Sequence, residues 1–226
     1  MKNSCICFTC ISMLYIFGFK DCNMKILAIG RNYTEHIEEL HNERPDEPVI
    51  FTKPETALIQ KNAPFYYTAF SNNIHFEVEI ILRICAHGKY IDEKFAHKYY
   101  DALGIGIDFT ARDLQDKAKS KGLPWALAKG FNGSAPISKF IDKNHFKDLK
   151  NINFSLNVDG DQKQHGNTSL MLYSFEEIIA YISKFIMLKK GDIIFTGTPK
   201  GVGPIAIGNK LEAFIEDEKL LEVEIK

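Results

Sequence analysis

Apolar and polar positions along this chain mostly alternate or run in short apolar blocks, and helical spacing is confined to a few stretches. Residues 25–30 (KILAIG) form an apolar run closed by glycine, and 49–53 (VIFTK) form another stopped by Pro54, so both predict strands. Residues 76–85 give the longest strand candidate, and 103–109 (LGIGIDF) give a further one. Residues 152–165 alternate on either side of Asp159-Gly160, which predicts a hairpin, and 210–225 predict a second hairpin at the end of the chain. Gly191-Asp192 opens the buried strand IIFTG. One strong helical stripe, over 174–188, carries Phe175, Ile178, Ile179, Ile182, Phe185 and Ile186, with Ser174 and Glu177 spaced as a capping box. Polar helices are predicted over 33–42, 92–102 and 110–121. The first has Asn32 or Thr34 as its cap, and the last ends at Gly122 and Pro124. Residues 55–73 read as loops and short strands. Helices and strands mix without βαβ alternation, which argues against a Rossmann or TIM-barrel design.

The length of 226 residues predicts one domain, or one domain with a small appendage, and it allows a substantial core. Seventeen Phe and nine Tyr point to a strand-rich, aromatic interior. A formal net charge of −1 gives no electrostatic basis for nucleic acid or an anionic membrane as the main partner. The first 23 residues differ from the rest. Their apolar stretch, 6–19, is shorter than the roughly 20 residues of a membrane span. It has the length of a signal-peptide core, but no small-residue cleavage site follows it in Lys20-Asp21-Cys22-Asn23. Cys5, Cys7, Cys10 and Cys22 all lie there, leaving Cys85 alone in the rest of the chain. A disulfide framework for the main domain is thereby excluded, and a reducing, cytoplasmic setting is expected. Met24 opens the patterned sequence. The expected division is a non-native upstream extension or disordered tail over 1–23 and a single catalytic domain over 24–226.

Four clusters carry candidate chemistry. Glu77 and Glu79 are two apart in FEVEIIL, so on a strand they share a face. With Asp108 from a neighbouring strand they would form a hard, oxygen-rich pocket for Mg²⁺, Mn²⁺ or Ca²⁺. Taken alone, Glu-x-Glu is usually a solvated strand face, and the neighbouring clusters have to raise the metal reading above it. His36 and Glu39 are three apart and share one face of the first predicted helix, where the carboxylate would orient the imidazole as a general base. In DFTARDLQ, Arg112 and Gln115 are again three apart and suited to a substrate carboxylate or carbonyl, while Asp108 also reads as a helix cap. Lys129, between Leu127 and Phe131, is a candidate for stabilising an oxyanion or moving a proton, or else an ordinary snorkelling lysine. The fourth cluster is the glycine-rich turn of GDIIFTGTPKGVGP (191–204), whose hydroxyls and backbone amides suit an anionic group although the P-loop spacing is absent.

In order and spacing, the strings GRNYTEH (30–36), FTKP (51–54), HFEVE (75–79), IDFTARDLQ (107–115), GLPWALAKGF (122–131) and GDIIFTGTPKGVG (191–203) resemble the fumarylacetoacetate hydrolase family. The resemblance spans about residues 25–225. GLPWALAK and the His-x-x-Glu of the first helix bring it nearest to the small acylpyruvase and oxaloacetate decarboxylase branch. It implies an α+β, β-rich fold, a mixed-sheet roll or barrel-like sandwich with peripheral helices, assembled as a homodimer. It implies Glu77, Glu79 and Asp108 as ligands of Mg²⁺ or Mn²⁺, and His36, Glu39 and Lys129 as catalytic residues. Arg112, Gln115 and Thr198 match substrate-contacting positions, and Arg31 and Lys53 lie in motifs near that site. The activity implied is metal-dependent C–C bond cleavage of small 2-keto acids, by acylpyruvate hydrolysis or oxaloacetate decarboxylation. The alternatives are an isomerase or decarboxylase of 2-hydroxyhepta-2,4-diene-1,7-dioate type, and a metal-stabilised binding or scaffold protein without turnover. Arg83 and Cys85 depart from the smooth apolar strand expected after Glu79, a change that leaves the ligands untouched.

Overall fold

The computed structural model describes residues 24–40 and 43–226. The expectations for 1–23 and for the last residues of the helix predicted over 33–42 lie outside the described residues. The central sheet has six strands in the order Val49–Lys53, Ile26–Gly30, Ile193–Phe195, Val78–Ile84, Tyr100–Ile107 and Ile141–Asp142. Ile26–Gly30 runs parallel to Ile193–Phe195, and the other neighbours are antiparallel. The continuous apolar runs follow from this position. Leu27 and Ile29 enter the main core, whereas Ile26 and Ala28 join a second cluster with Ile81, Ile193 and Phe195 on the opposite face. A strand covered on both faces reads as a block rather than an alternation.

A second, antiparallel sheet of Asp161–Asn167, Asn153–Val158, Lys210–Ile215 and Glu218–Glu224 closes the main core with Phe154, Leu156, Leu211, Ala213 and Val223. Its hairpins are the predicted ones, with Asp159 (φ 52°) and Gly160 (φ 87°) making the tight turn. Two small sheets complete the strands. One is Gly203–Pro204, Ile74–Phe76 and Thr110–Ala111; the other pairs Leu58–Ile59 with Ala135–Pro136. The helices are α1 (Thr34–Glu39), α2 (Glu93–Ala96), α3 (Arg112–Ser120), α4 (Ala126–Lys129) and α5 (Phe175–Phe185). The fold is thus α+β and β-rich, as expected. In α5 the capping box is complete: the Glu177 N–H donates to Ser174 Oγ at 3.3 Å, and the Ser174 N–H donates to Glu177 Oε2 at 2.7 Å. Among the described residues no helix is long and apolar enough to cross a membrane.

Five local expectations change. The strand predicted over 76–85 is divided at Glu77, and the one over 103–109 stops at Ile107. The helix predicted over 92–102 is only α2, because Tyr100 is buried edge-on against Phe175 and starts a strand. Neither Asn32 nor Thr34 caps α1, whose cap position is Tyr33. The Asn32 side chain instead holds the backbone of Tyr173 and Thr196. Asp108 caps nothing, since α3 begins after Ala111. Arg83 pairs with Asp101 on an exposed face at 2.8 and 3.0 Å, and Cys85 is a half-buried free thiol.

Candidate metal centre and cleft

The antiparallel pair Val78–Ile84 and Tyr100–Ile107 leaves the central sheet at Glu77 and Asp108, and its two chains pair again as Ile74–Phe76 with Thr110–Ala111. At the crossing the Asp108 N–H donates to the Glu77 carbonyl at 2.7 Å, and the Val78 N–H is taken out of the ladder by Gln164 Oε1 at 2.8 Å. Val78 and Ile80 point into the main core, so Glu77 and Glu79 turn to the other face, the side of Ile81. Asp108 meets them there. One carboxylate oxygen from each lies within 4.8 Å of the others, and all three residues are buried.

The surrounding charges are unevenly shared. Glu77 is bound by the Arg112 guanidinium and, at 2.8 Å, by Lys129 Nζ. Asp108 receives Lys129 at 2.6 Å and lies 2.7 Å from Lys53 Nζ. Glu79 accepts the Gly197 N–H at 2.6 Å. Burial alone would raise the Glu77 carboxyl, yet Lys129 and Arg112 hold it far below the usual carboxylate range. Glu79 moves the other way: burial and the charge of Asp108 push it well above that range. Burial opposes the charge of Lys129, but Asp108 and Glu77 more than offset it and raise its ammonium. Three hard carboxylate oxygens in a buried pocket, one of them without a cationic side chain of its own, suit a divalent metal ion. Glu77, Glu79 and Asp108 would hold it.

Across the cleft, His36 Nδ1 lies 3.2 Å from Glu39 Oε2, and Glu39 Oε1 accepts the Gly201 N–H at 3.0 Å. Burial opposes ionisation of Glu39, but the bonds from His36 and Gly201 hold its carboxyl below its ordinary value. An exposed Lys200–Glu35 pair at 3.0 Å ties α1 to the same turn. The cleft wall takes in His36, the three carboxylates and Lys129, and also Arg31, Arg112, Gln115 and Thr198. Arg112 Nη1 donates to Gln115 Oε1 at 2.6 Å, so the α3 face orders itself internally. Arg31 holds a left-handed backbone, φ 62°, at the cleft wall, a conformation a non-glycine residue adopts only under local constraint.

Two candidates stand off the wall. Lys53 is buried behind Asp108, and its ammonium also serves the carbonyls of Lys129 and Ser134 and the Ser134 hydroxyl. In this structure its contacts are with the chain itself. Glu39 reaches the cleft through His36 only. Lys119 and Trp125 also line the cleft, and the Thr110 hydroxyl accepts from Lys129 at 2.6 Å; neither Lys119 nor Thr110 stands out in the sequence. Helical spacing would have found Lys119, four positions after Gln115 and seven after Arg112 on one face.

Gly197 fixes the turn over Glu79. Its φ is +107°, and a β-carbon there would stand 2.6 Å from that of Asn32. Gly197→Ala is expected to lower stability by about 2–4 kcal/mol and to displace the N–H that holds Glu79, measurable by urea unfolding together with turnover.

The fumarylacetoacetate (FAA) hydrolase C-terminal family matches residues 25–226. The mitochondrial oxaloacetate tautomerase of Homo sapiens is 41% identical, over 87% of this chain and 89% of that protein. The mitochondrial oxaloacetate decarboxylase of Dictyostelium discoideum is 43% identical, over 87% of this chain and 91% of that one. Among solved structures, fumarylpyruvate hydrolase from Pseudomonas aeruginosa in complex with Mn²⁺ and pyruvate superposes with a TM-score of 0.84 at 31% identity, covering 89% of this chain and 88% of that one.

Proposed function

The chain belongs to the fumarylacetoacetate hydrolase family, and on that premise we propose that it is a divalent-metal-dependent enzyme acting on small 2-keto acids by acylpyruvate hydrolysis, oxaloacetate decarboxylation, or both. The observation that carries this reading is the convergence of three buried carboxylates with a His–Glu pair and a lysine in one cleft. The relatives' names supply the chemical class: oxaloacetate for the human and Dictyostelium proteins, fumarylpyruvate for the Pseudomonas enzyme. Mg²⁺ or Mn²⁺ is the ion proposed for Glu77, Glu79 and Asp108. When bound, such an ion supplies Lewis-acid polarisation of the keto group and charge stabilisation of a pyruvate enolate.

The protein's own groups divide the remaining tasks. Arg112, Gln115 and Thr198 orient the carboxylate and keto oxygens. His36, held by Glu39, removes a proton from water at the distal carbonyl of an acylpyruvate. Oxaloacetate loses CO₂ without that step, and enol–keto exchange needs only proton movement at C3. Lys129 has three donor hydrogens and in this structure spends them on Glu77, Asp108 and Thr110. To meet an oxyanion it must release one of them. The cleft is partly open to solvent beside these groups.

A panel of acetylpyruvate, fumarylpyruvate, oxaloacetate and a heptadienedioate, assayed with Mg²⁺ and with Mn²⁺, tests the assignment. His36→Ala is expected to cut acylpyruvate hydrolysis by about 10²-fold and oxaloacetate decarboxylation by less than about tenfold. Equal losses would remove His36 from water activation. Binding of Mg²⁺ and oxalate with no turnover of any substrate would favour the scaffold reading. The dienedioate isomerase reading is not favoured, since near-full-length relatives are named for oxaloacetate. A homodimer and a reducing compartment stay within the proposal; the human relative's name places that protein in mitochondria, so the cytoplasm is one of two settings.

A further inference from the structure

We infer that Gln164, a buried residue of the second sheet, is a positioning residue that fixes the Thr198 hydroxyl as a hydrogen-bond donor toward a substrate carboxylate. The inference rests on the reading of Thr198 as a substrate contact. Gln164 and Thr198 are 1% and 4% exposed, and Thr198 lines the cleft. Gln164 stands at an inward position of Asp161–Asn167, where the alternation calls for an apolar side chain. A β-bulge lies beside it: Leu156 pairs with Gln164 but Asn157 pairs with Gln162, leaving Lys163 as the extra residue. Bulges re-aim side chains, and this one turns Gln164 toward the 198–199 turn. It also presses the Lys163 carbonyl against Gly201, where a β-carbon would come within 2.2 Å of that oxygen.

The direction of every hydrogen bond around Gln164 follows from chemistry. The Val78 N–H can only donate, so the atom 2.8 Å from it is the amide oxygen. The amide nitrogen then faces the Pro199 carbonyl at 2.9 Å and Thr198 Oγ1 at 2.9 Å. The carbonyl can only accept, which fixes the same orientation from the other end. A flipped amide would set donor against donor at Val78 and acceptor against acceptor at Pro199. Thr198 Oγ1 therefore accepts from Gln164, and its own hydrogen must point elsewhere. Thr198 lines the cleft, where a substrate oxygen can take that hydrogen. A threonine hydroxyl is otherwise free to serve as donor or acceptor. Here Gln164 occupies one of the oxygen's two lone pairs and leaves its hydrogen to donate, a bias that suits an anionic substrate oxygen.

Gln164→Glu tests this with nearly the same shape. One carboxylate oxygen still accepts from Val78, and the other takes the Thr198 proton, so Thr198 presents a lone pair to the cleft; that second oxygen also loses the bond to the Pro199 carbonyl and meets it as acceptor against acceptor. Oxalate affinity, measured calorimetrically with Mn²⁺ saturating, is expected to fall about tenfold, and KM for oxaloacetate to rise more than kcat falls. Mn²⁺ affinity should stay within about twofold. Thr198→Val should weaken oxalate by a similar factor, and the double variant should be no weaker than Thr198→Val alone. Additive losses, or a parallel loss of Mn²⁺ affinity, would overturn the inference, because Gln164 would then act by supporting the carboxylate strand. If Thr198→Val leaves oxalate binding intact, the substrate contact itself fails and the inference falls with it. Should the buried glutamate prevent folding, Gln164→Leu enters the same cycle: it frees the hydroxyl to rotate and should cost less than Thr198→Val, again without additivity.

Discussion

Glu79→Gln abolishes metal-dependent turnover, a loss of at least about 10³-fold, and raises the melting temperature of the metal-free protein. The two effects share one cause. Glu79 is buried beside Asp108 and Glu77, and its hydrogen-bond partner is the Gly197 N–H rather than a cation. Without a metal ion its charge meets like charges in a desolvated pocket, which is why burial and Asp108 push its carboxyl up. A glutamine keeps the acceptor for Gly197, offers an N–H₂ toward the neighbouring carboxylates and removes that repulsion. A gain of about 1–2 kcal/mol, or roughly 2–8 °C for a chain of this size, is expected. Glu77→Gln behaves oppositely in the metal-free protein, because Arg112 and Lys129 lose their charged partner. Thermal scans with and without Mg²⁺ separate the cases. Wild type should gain about 2.7 kcal/mol with the ion at a hundred times its dissociation constant, and Glu79→Gln should gain almost nothing. A lower metal-free melting temperature in Glu79→Gln, or a retained Mg²⁺ response, would contradict the ligand assignment.

Period-two spacing made Glu77 and Glu79 legible as a same-face pair, and the motif order made their company legible. The break in the strand at Glu77 was not. FEVEIIL reads as one uninterrupted strand because the group that takes the Val78 N–H, Gln164, lies 86 positions away. The surroundings of Lys53 were hidden for a related reason. FTKP shows only a strand stopped by proline, and the carbonyls of Lys129 and Ser134, brought in by tertiary contact, draw the ammonium under Asp108. Residues 92–102 have helical composition, but burial of Tyr100 against Phe175 decides for strand. The helix α5 was legible down to its cap because a capping box and an apolar stripe are both local signals. What local pattern carried was thus element type and candidate chemistry; what it missed was which polar groups the fold spends on itself.

Lys129→Met is expected to lower turnover on the order of 10³-fold while strengthening the hold on the metal ion, and that opposition distinguishes a catalytic lysine from a structural one. In this structure its ammonium bridges Glu77 and Asp108 at 2.8 and 2.6 Å and is held by Thr110 at 2.6 Å. The same two carboxylates would be asked to hold a divalent ion, so Lys129 and the ion compete for their charge. Removing the ammonium leaves buried carboxylates under-compensated, with Arg112 on Glu77 and Lys53 near Asp108 as the remaining cations. The metal-free protein should therefore lose about 3–5 kcal/mol. Added Mg²⁺ or Mn²⁺ restores the missing positive charge, so the rise in melting temperature on adding metal should exceed that of wild type. Under the proposed oxyanion role of Lys129, turnover is expected to stay low even when the site is saturated. A variant whose activity returned in step with added metal would show that Lys129 only balances charge, and would move the oxyanion role to another group.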